Sequence, residues 1–351
     1  SGITLDGKPV GERMLGDDMA PTTDVLKIGE VSFYVIRRGE KFGIRIKDPA
    51  DASKTSNVPA GGAECLASAV TELRKKNPNH IFVAAGDLIG ASPLLSALFR
   101  DEPTIESLGL MGLEVTAVGN HEFDRGSLEL LRMQRGGCYP GEACKGPKPF
   151  EGARFKYLAA STVDARTGDL FLPAYHVKRF GGIPVAFIGL TLKDTPTIVV
   201  PSGVVGLRFR DEAETVNELV PQLRKQGIEA IVLLIHEGGV PTGNYNECPG
   251  ISGPIVDIVK KLDKAVDLVS SGHTHRAYNC RIDGRLVTSA DKYGTIVTED
   301  SGGFVSHVTL IVRGTNACWS WVVTDTPEGF SGLLYEGDPP PFELTPSAMG
   351  Q

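Results

Sequence analysis

From about residue 58 the chain alternates short apolar runs with amphipathic stretches. The runs IFVAAGD (81–87), VTAVGNHE (115–122), IPVAFIGLT (183–191), AIVLLIHEGG (230–239), VDLVSSGHTH (266–275) and RLVTSA (285–290) read as buried strands. Between them lie helical patterns. One carries Leu66, Val70 and Leu73 on a single face, one follows Pro93, and one is SLELLRMQ (127–134). Another is EAETVNELVPQLRKQG (212–227), in which Pro221 is expected to kink the helix. Apolar strands alternating with helices predict an α/β fold with both sheet faces covered.

The ends of the chain follow other patterns. EVSFYVIRRGEKFGIRIKD (30–48) predicts a β-hairpin turning at Arg38-Gly39-Glu40, its second arm alternating Phe42, Ile44 and Ile46 with Gly43, Arg45 and Lys47. HVTLIVRG (307–314) and CWSWVVTD (318–325) read as strands, with Trp319 and Trp321 as packing residues. EGDPPPFELTPSAMGQ (336–351) reads as a loose tail. The expected division is a β-rich segment 1–57, a core 58–300, and a short β segment with tail over 301–351.

Polar residues gather where the apolar runs stop. Asp87 ends the first, Asn120 and His121 the second, His236 the fourth, and His273 with His275 the fifth. A single Gly-Asp after a strand is usually a turn, and a single His is usually a hydrogen-bonded core group. Their repetition at strand C-termini is different, because ligand sites of α/β sheets form along that edge. On an extended segment, His273 and His275 would present both rings to one face. Carboxylate, amide and imidazole together suit divalent transition metals. His80, His176 and His307 lie away from strand ends and read as ordinary residues.

Composition narrows the setting. A net charge of -7 gives no electrostatic reason to expect nucleic acid or an acidic membrane surface as partner. No apolar run approaches the roughly 18 residues that span a bilayer, so a soluble protein is expected. The chain begins SGITLDGK, with neither Met nor a signal-peptide pattern, and a targeting segment could have preceded it. Of six cysteines, Cys138 and Cys144 bracket a Gly/Pro-rich loop, while Cys248 and Cys280 lie in polar segments. These predict disulfides 138–144 and 248–280 and a secreted, periplasmic or cell-surface protein. Cys65 and Cys318 are unassigned.

The order Gly86-Asp87, Gly119-Asn120-His121-Glu122, His236 and Gly272-His273-Thr274-His275 resembles the calcineurin-like metallophosphoesterases. GDLIGASPLLSALF, GNHEFDRG and SGHTHRAYNC resemble their bacterial 5′-nucleotidase branch, over roughly Val58 to Val297. The resemblance implies a β-sandwich flanked by helices and two divalent ions such as Zn, Mn or Fe. Asp87 would bridge them, with Asn120, His236 and His273 on the second and His275 on the first. A metal-bound hydroxide would attack a phosphomonoester, such as a nucleotide. His121 would stabilise the transition state or protonate the leaving alkoxide, with Asp124 orienting it. Glu122 and Phe123 read as structural.

Two features depart from that family. Its members normally open with Asp-x-His at the end of the first strand, but no histidine precedes His80. Either Asp48 takes the Asp position with Ala50 in place of the His, or residues 1–57 are a foreign β segment. The first metal then keeps fewer ligands, and one bound metal with impaired or absent activity becomes an alternative. About fifty residues follow the last motif, too few for the family's base-gripping domain, so nucleotide selectivity is open. The rivals to a working hydrolase are an inactive metallophosphoesterase-like binding domain and a rearranged chimera.

Overall fold

A computed structural model describes residues 62–291, apart from 93, 147, 244–246 and the side chains of 62, 64, 65, 94 and 95. Outside these limits it describes the backbone of strands lying within 4–47 and 298–332. The chain divides into two compact units, Ser1–Pro59 and Ala60–Gln351. In the first, β1 (Thr4–Leu5), β2 (Lys8–Pro9), β3 (Leu26–Ile28), β4 (Val31–Arg38) and β5 (Lys41–Lys47) form an antiparallel sheet in the order β2-β1-β3-β4-β5. The hairpin β4–β5 pairs from Ser32↔Lys47 to Arg38↔Lys41.

The second unit runs α1 (Gly62–Lys76), β6 (His80–Ala84), α2 (Leu94–Leu98), α3 (Glu102–Leu110), β7 (Val115–Ala117), α4 (Ser127–Arg135), β8 (Lys156–Leu158) and β9 (Thr162–Asp164). It continues with β10 (Tyr175–Phe180), β11 (Ile183–Thr191), α5 (Thr195–Ile198), β12 (Leu207–Phe209), α6 (Glu212–Lys225), β13 (Ala230–His236) and α7 (Pro254–Lys261). Then come β14 (Val266–Ser271), β15 (Ala277–Ile282), β16 (Arg285–Ala290), β17 (Thr298–Ser301) and β18 (Thr309–Arg313). One sheet has the order β10-β11-β13-β14-β16-β15, with β11, β13, β14 and β16 parallel. The other has the order β17-β18-β6-β7-β8, with β18 parallel to β6 from Thr309↔His80 to Arg313↔Ala84.

Period-two alternation stacks these sheets into a sandwich. On β6, Ile81 and Val83 face a shared inner core, together with Val232 and Leu234 of β13 and Leu268 of β14. The intervening Phe82 and Ala84 face the other way, onto Leu66, Val70 and Leu73 of α1 and Ile105 and Leu108 of α3. On the far side, Ile231, Leu233 and Ile235 of β13 meet Val216, Val220 and Leu223 of α6 and Ile255 and Val259 of α7. Strands buried on both faces need apolar residues at every position, which explains why the sequence runs are continuous rather than alternating.

Helix α6 begins where the Asp211 side chain accepts from the Glu214 N–H at 3.2 Å. Glu212 and Glu214 in its first turn and Arg224 and Lys225 in its last complement the helix dipole. The helix includes Pro221 without ending there. The residue is exposed, and the helix continues through it because Val216, Val220 and Leu223 anchor the buried face on both sides.

Candidate metal centre

Parallel strands deliver their C-terminal ends to one edge, and the polar residues predicted there meet. Asp87 follows β6, Asn120 follows β7, His236 is the last residue of β13, and His273 follows β14. His236 Nε2 lies 2.9 Å from Asp87 Oδ2 and 3.1 Å from Asn120 Oδ1. The His236 and His273 rings are 5.1 Å apart between centroids. One ligand atom each from Asp87, His236 and His273 falls within 4.8 Å of the others. Such closeness needs Gly119: a Cβ there would collide with Asp87 Oδ1 and stand 2.5 Å from the Asp87 amide nitrogen. Asp87 and His273 both hold left-handed backbone, at φ 52° and 69°, which is uncommon for residues with a side chain and clusters at functional sites.

The hydrogen bonds define which atoms of this cluster face one another. His236 Nδ1 is 2.7 Å from the Ala85 carbonyl and so donates to it, leaving Nε2 as the acceptor of a neutral ring. That lone pair faces the Asp87 carboxylate and the Asn120 side-chain oxygen. These atoms converge in a buried place, where a divalent cation, or a proton on Nε2, would satisfy them. Burial disfavours ionisation of Asp87, but the charge and hydrogen bond of His236 and then His121 outweigh it, so the carboxyl sits below its ordinary value. Burial likewise opposes a charge on His236, yet Asp87 raises it above the usual imidazole range. His273 is pushed down to about 4 by burial and by His236, so it keeps a free lone pair at neutral pH. Two oxygens and two imidazoles fit a divalent transition metal.

A model of the calcineurin-like phosphoesterase family matches residues 59–277. The chain belongs to the calcineurin-like phosphoesterase family. Members use divalent metals, in agreement with the acceptor cluster. Similar proteins include endonuclease YhcR of Bacillus subtilis, 36% identical over 70% of this chain and 20% of that protein. Cell wall protein Lmo0130 of Listeria monocytogenes is 35% identical over 81% of this chain and 41% of its own length. The chain therefore spans less than half the length of either relative. Among solved structures, a 5′-nucleotidase precursor from Thermus thermophilus shares the fold, with a TM-score of 0.51 and 23% identity over 66% of this chain and 43% of that one.

Beside the phosphoesterase cluster, the turn His121–Phe123 sets two further groups. His121 Nδ1 lies 2.7 Å from Asp124 Oδ2, and the His121 backbone N–H donates to Asp87 Oδ1 at 2.9 Å. The Asp124 hydrogen bond pushes His121 up to about 9, so the ring is an imidazolium at neutral pH. A cavity of about 260 Å³ opens at this pair, walled in part by Ile89, Gly90, Ser92 and Arg125. Glu122 points inward. Its Oε2 accepts from the Asp87 N–H at 2.9 Å and the Gly119 N–H at 2.6 Å, and its Oε1 from the Leu88 N–H at 2.7 Å. Burial pushes this carboxyl up to about 7, with the Asp87 charge adding to the rise, while His236 and the N–H donors of Gly119 and Leu88 pull it back. Both of its oxygens face N–H donors, so the geometry serves the ionised form.

The remaining sequence-derived candidates fare differently. His275, expected on the other metal, is exposed, and residues 273 and 275 at φ 69° and 53° do not follow the extended path expected of them. Asp48 lies outside the described residues, as do His307, Cys318, Trp319 and Trp321. Disulfides join Cys138 to Cys144 and Cys248 to Cys280. The sequence reading missed that Glu122 joins the Asp87 and Asn120 turns. Its place between a ligand turn and Phe123 was the available signal, but its role as acceptor for the distant amides of Asp87 and Leu88 is visible only in the fold.

Proposed function

We propose that Asp87, Asn120, His236 and His273 hold a divalent metal and that the site hydrolyses phosphomonoesters, nucleotides among them. The observation that carries this reading is the convergence of acceptor atoms on His236 Nε2, with the cationic His121 held beside them. When bound, the metal supplies Lewis acidity and activates water for attack on phosphorus. Asp87 is anchored for that task by the His121 N–H on one oxygen and faces His236 with the other. His121 presents a proton and a positive charge to the phosphoryl group, and its Nε2 can pass that proton to the leaving alkoxide. Asp124 at Nδ1 keeps the ring charged and oriented.

A second metal would share Asp87 and take His275, with Asp48 as its further ligand. The exposure of His275 supports the rival in which one metal is bound and activity is weak. Two disulfides support a secreted, periplasmic or cell-surface location, in keeping with the cell-wall relative. Among the described residues no helix is long and apolar enough to cross a membrane.

The test is phosphate release from 5′-nucleotides and from an aryl phosphate with added Mn²⁺ or Zn²⁺, beside an aryl phosphodiester and DNA. Turnover of the monoesters is expected. No turnover of any substrate would leave the inactive binding domain as the better account, and turnover of diesters or DNA alone would replace the monoesterase reading.

A further inference from the structure

His236 ends β13 and His273 follows β14, and the segments after them are fastened to each other at the Gly239 backbone. Its N–H donates to the Tyr278 hydroxyl at 3.1 Å, and its carbonyl accepts from Thr274 Oγ1 at 2.7 Å. The polarity of this chain of bonds is fixed. Ser271 Oγ donates to the Thr288 carbonyl at 2.7 Å, so the Tyr278 hydroxyl, 2.7 Å from Ser271 Oγ, donates to it and accepts from Gly239. Tyr278 is fully buried, with its ring in the outer core beside α7. The loops approach so closely that a Cβ on Gly238 would strike the Gly272 carbonyl and stand 2.6 Å from Thr274 Oγ1. Farther out, the bridge Val240↔Ser252 closes the loop after His236 on itself, and the disulfide Cys248–Cys280 ties that loop to β15.

We infer that Tyr278 and Thr274 are positioning residues of the metal centre, which set the separation of His236 from His273 by holding the Gly239 peptide from both sides. Gly239 lies three residues after His236, Thr274 directly follows His273, and Tyr278, five residues after His273, stands on β15, so the two bonds tie the loop after His236 to the segment after His273. A tyrosine needed only for packing would keep its value as phenylalanine. A tyrosine that positions the ligands would not, because the Gly239 N–H would lose its acceptor and the loop after His236 would be free to shift. Metal–ligand distances in well-formed sites fall within about 0.2 Å of their usual values, so the placement of each ligand matters.

The inference rests on the reading of Asp87, His236 and His273 as metal ligands, and the experiment separates the two. The full chain, stripped with chelator, is titrated with Mn²⁺ by calorimetry as wild type, Tyr278→Phe, Thr274→Val, Thr274→Ser and His236→Ala. Partners that orient metal ligands typically contribute about 10- to 100-fold in affinity. Tyr278→Phe and Thr274→Val are therefore expected to bind Mn²⁺ about tenfold or more weakly, with circular dichroism and thermal midpoint close to wild type. Thr274→Ser, which keeps the hydroxyl, is expected to bind within about twofold of wild type. Wild-type affinity in both Tyr278→Phe and Thr274→Val would overturn the inference while leaving the metal centre standing. So would weakening that appears only with loss of the fold, or that is equal in Thr274→Ser. A wild type that binds no Mn²⁺, or binding that survives His236→Ala, would overturn the metal reading and the inference with it.

Discussion

Gly119→Ala probes how tightly the two ligand turns are held. The position does not have left-handed backbone, so the substitution acts through space alone. Its Cβ would lie 2.5 Å from the Asp87 amide nitrogen, where ordinary contact begins at 3.4 Å, so the turns must part by the difference, about 0.9 Å. They are not free to do so, because Glu122 Oε2 holds the Asp87 and Gly119 amides together. Separation breaks one hydrogen bond to a charged group, roughly 1.5–3 kcal/mol. The overpacking itself adds about 1–3 kcal/mol. Allowing for partial relaxation, a loss of roughly 3–5 kcal/mol is expected, a large part of the roughly 5–15 kcal/mol of a typical domain. Urea unfolding of chelator-treated protein measures it. Gly146→Ala, whose Cβ would meet only the Lys148 carbonyl at 3.5 Å, serves as a control expected within about 0.5 kcal/mol of wild type. A Gly119→Ala protein within about 1 kcal/mol of wild type would refute the close approach and the role given to Glu122.

His121 has a folded value of about 9, above its ordinary 6.5, so its contribution to stability is full below pH 6.5 and is lost as the pH rises through 9. Urea midpoints of chelator-treated protein should fall across that window, and Asp124→Asn should flatten the fall; an unchanged profile in the variant would show that Asp124 does not hold the proton there. The Cys248–Cys280 disulfide closes a separation of 32 residues, for which chain entropy gives about 3.7 kcal/mol. Joint replacement by Ser should lower unfolding free energy by an amount of that order, and a loss below about 1 kcal/mol would contradict the loop-closure account.

The central strands were legible because they are buried on both faces and so stand out as unbroken apolar runs, whereas the stacking of two sheets into a sandwich was implied only by the family resemblance. Residues at strand ends were legible for the same reason, since Asp87, Asn120 and His236 interrupt such runs abruptly. Spacing also exposed the pair His121 and Asp124, which one tight turn brings together. What could not be read was set by backbone conformation and distant contacts. The left-handed backbone at 273 and 275 departs from the extended path expected there, and no side-chain pattern announces that. Pro221 remains helical because tertiary packing overrides its local preference. Glu122 and Tyr278 take their meaning from amides some thirty-five and thirty-nine positions away in the chain. Strand β18 is visible in the sequence as an apolar run, but its pairing beside β6 is a long-range fact.

The most direct test of the account is the rate of aryl phosphate hydrolysis by metal-stripped protein as Mn²⁺ is added back. The account predicts no turnover without metal, a rate that rises to saturation as Mn²⁺ is added, and its loss in Asp87→Ala. No turnover at any Mn²⁺ concentration, or an equal rate in Asp87→Ala, would contradict it.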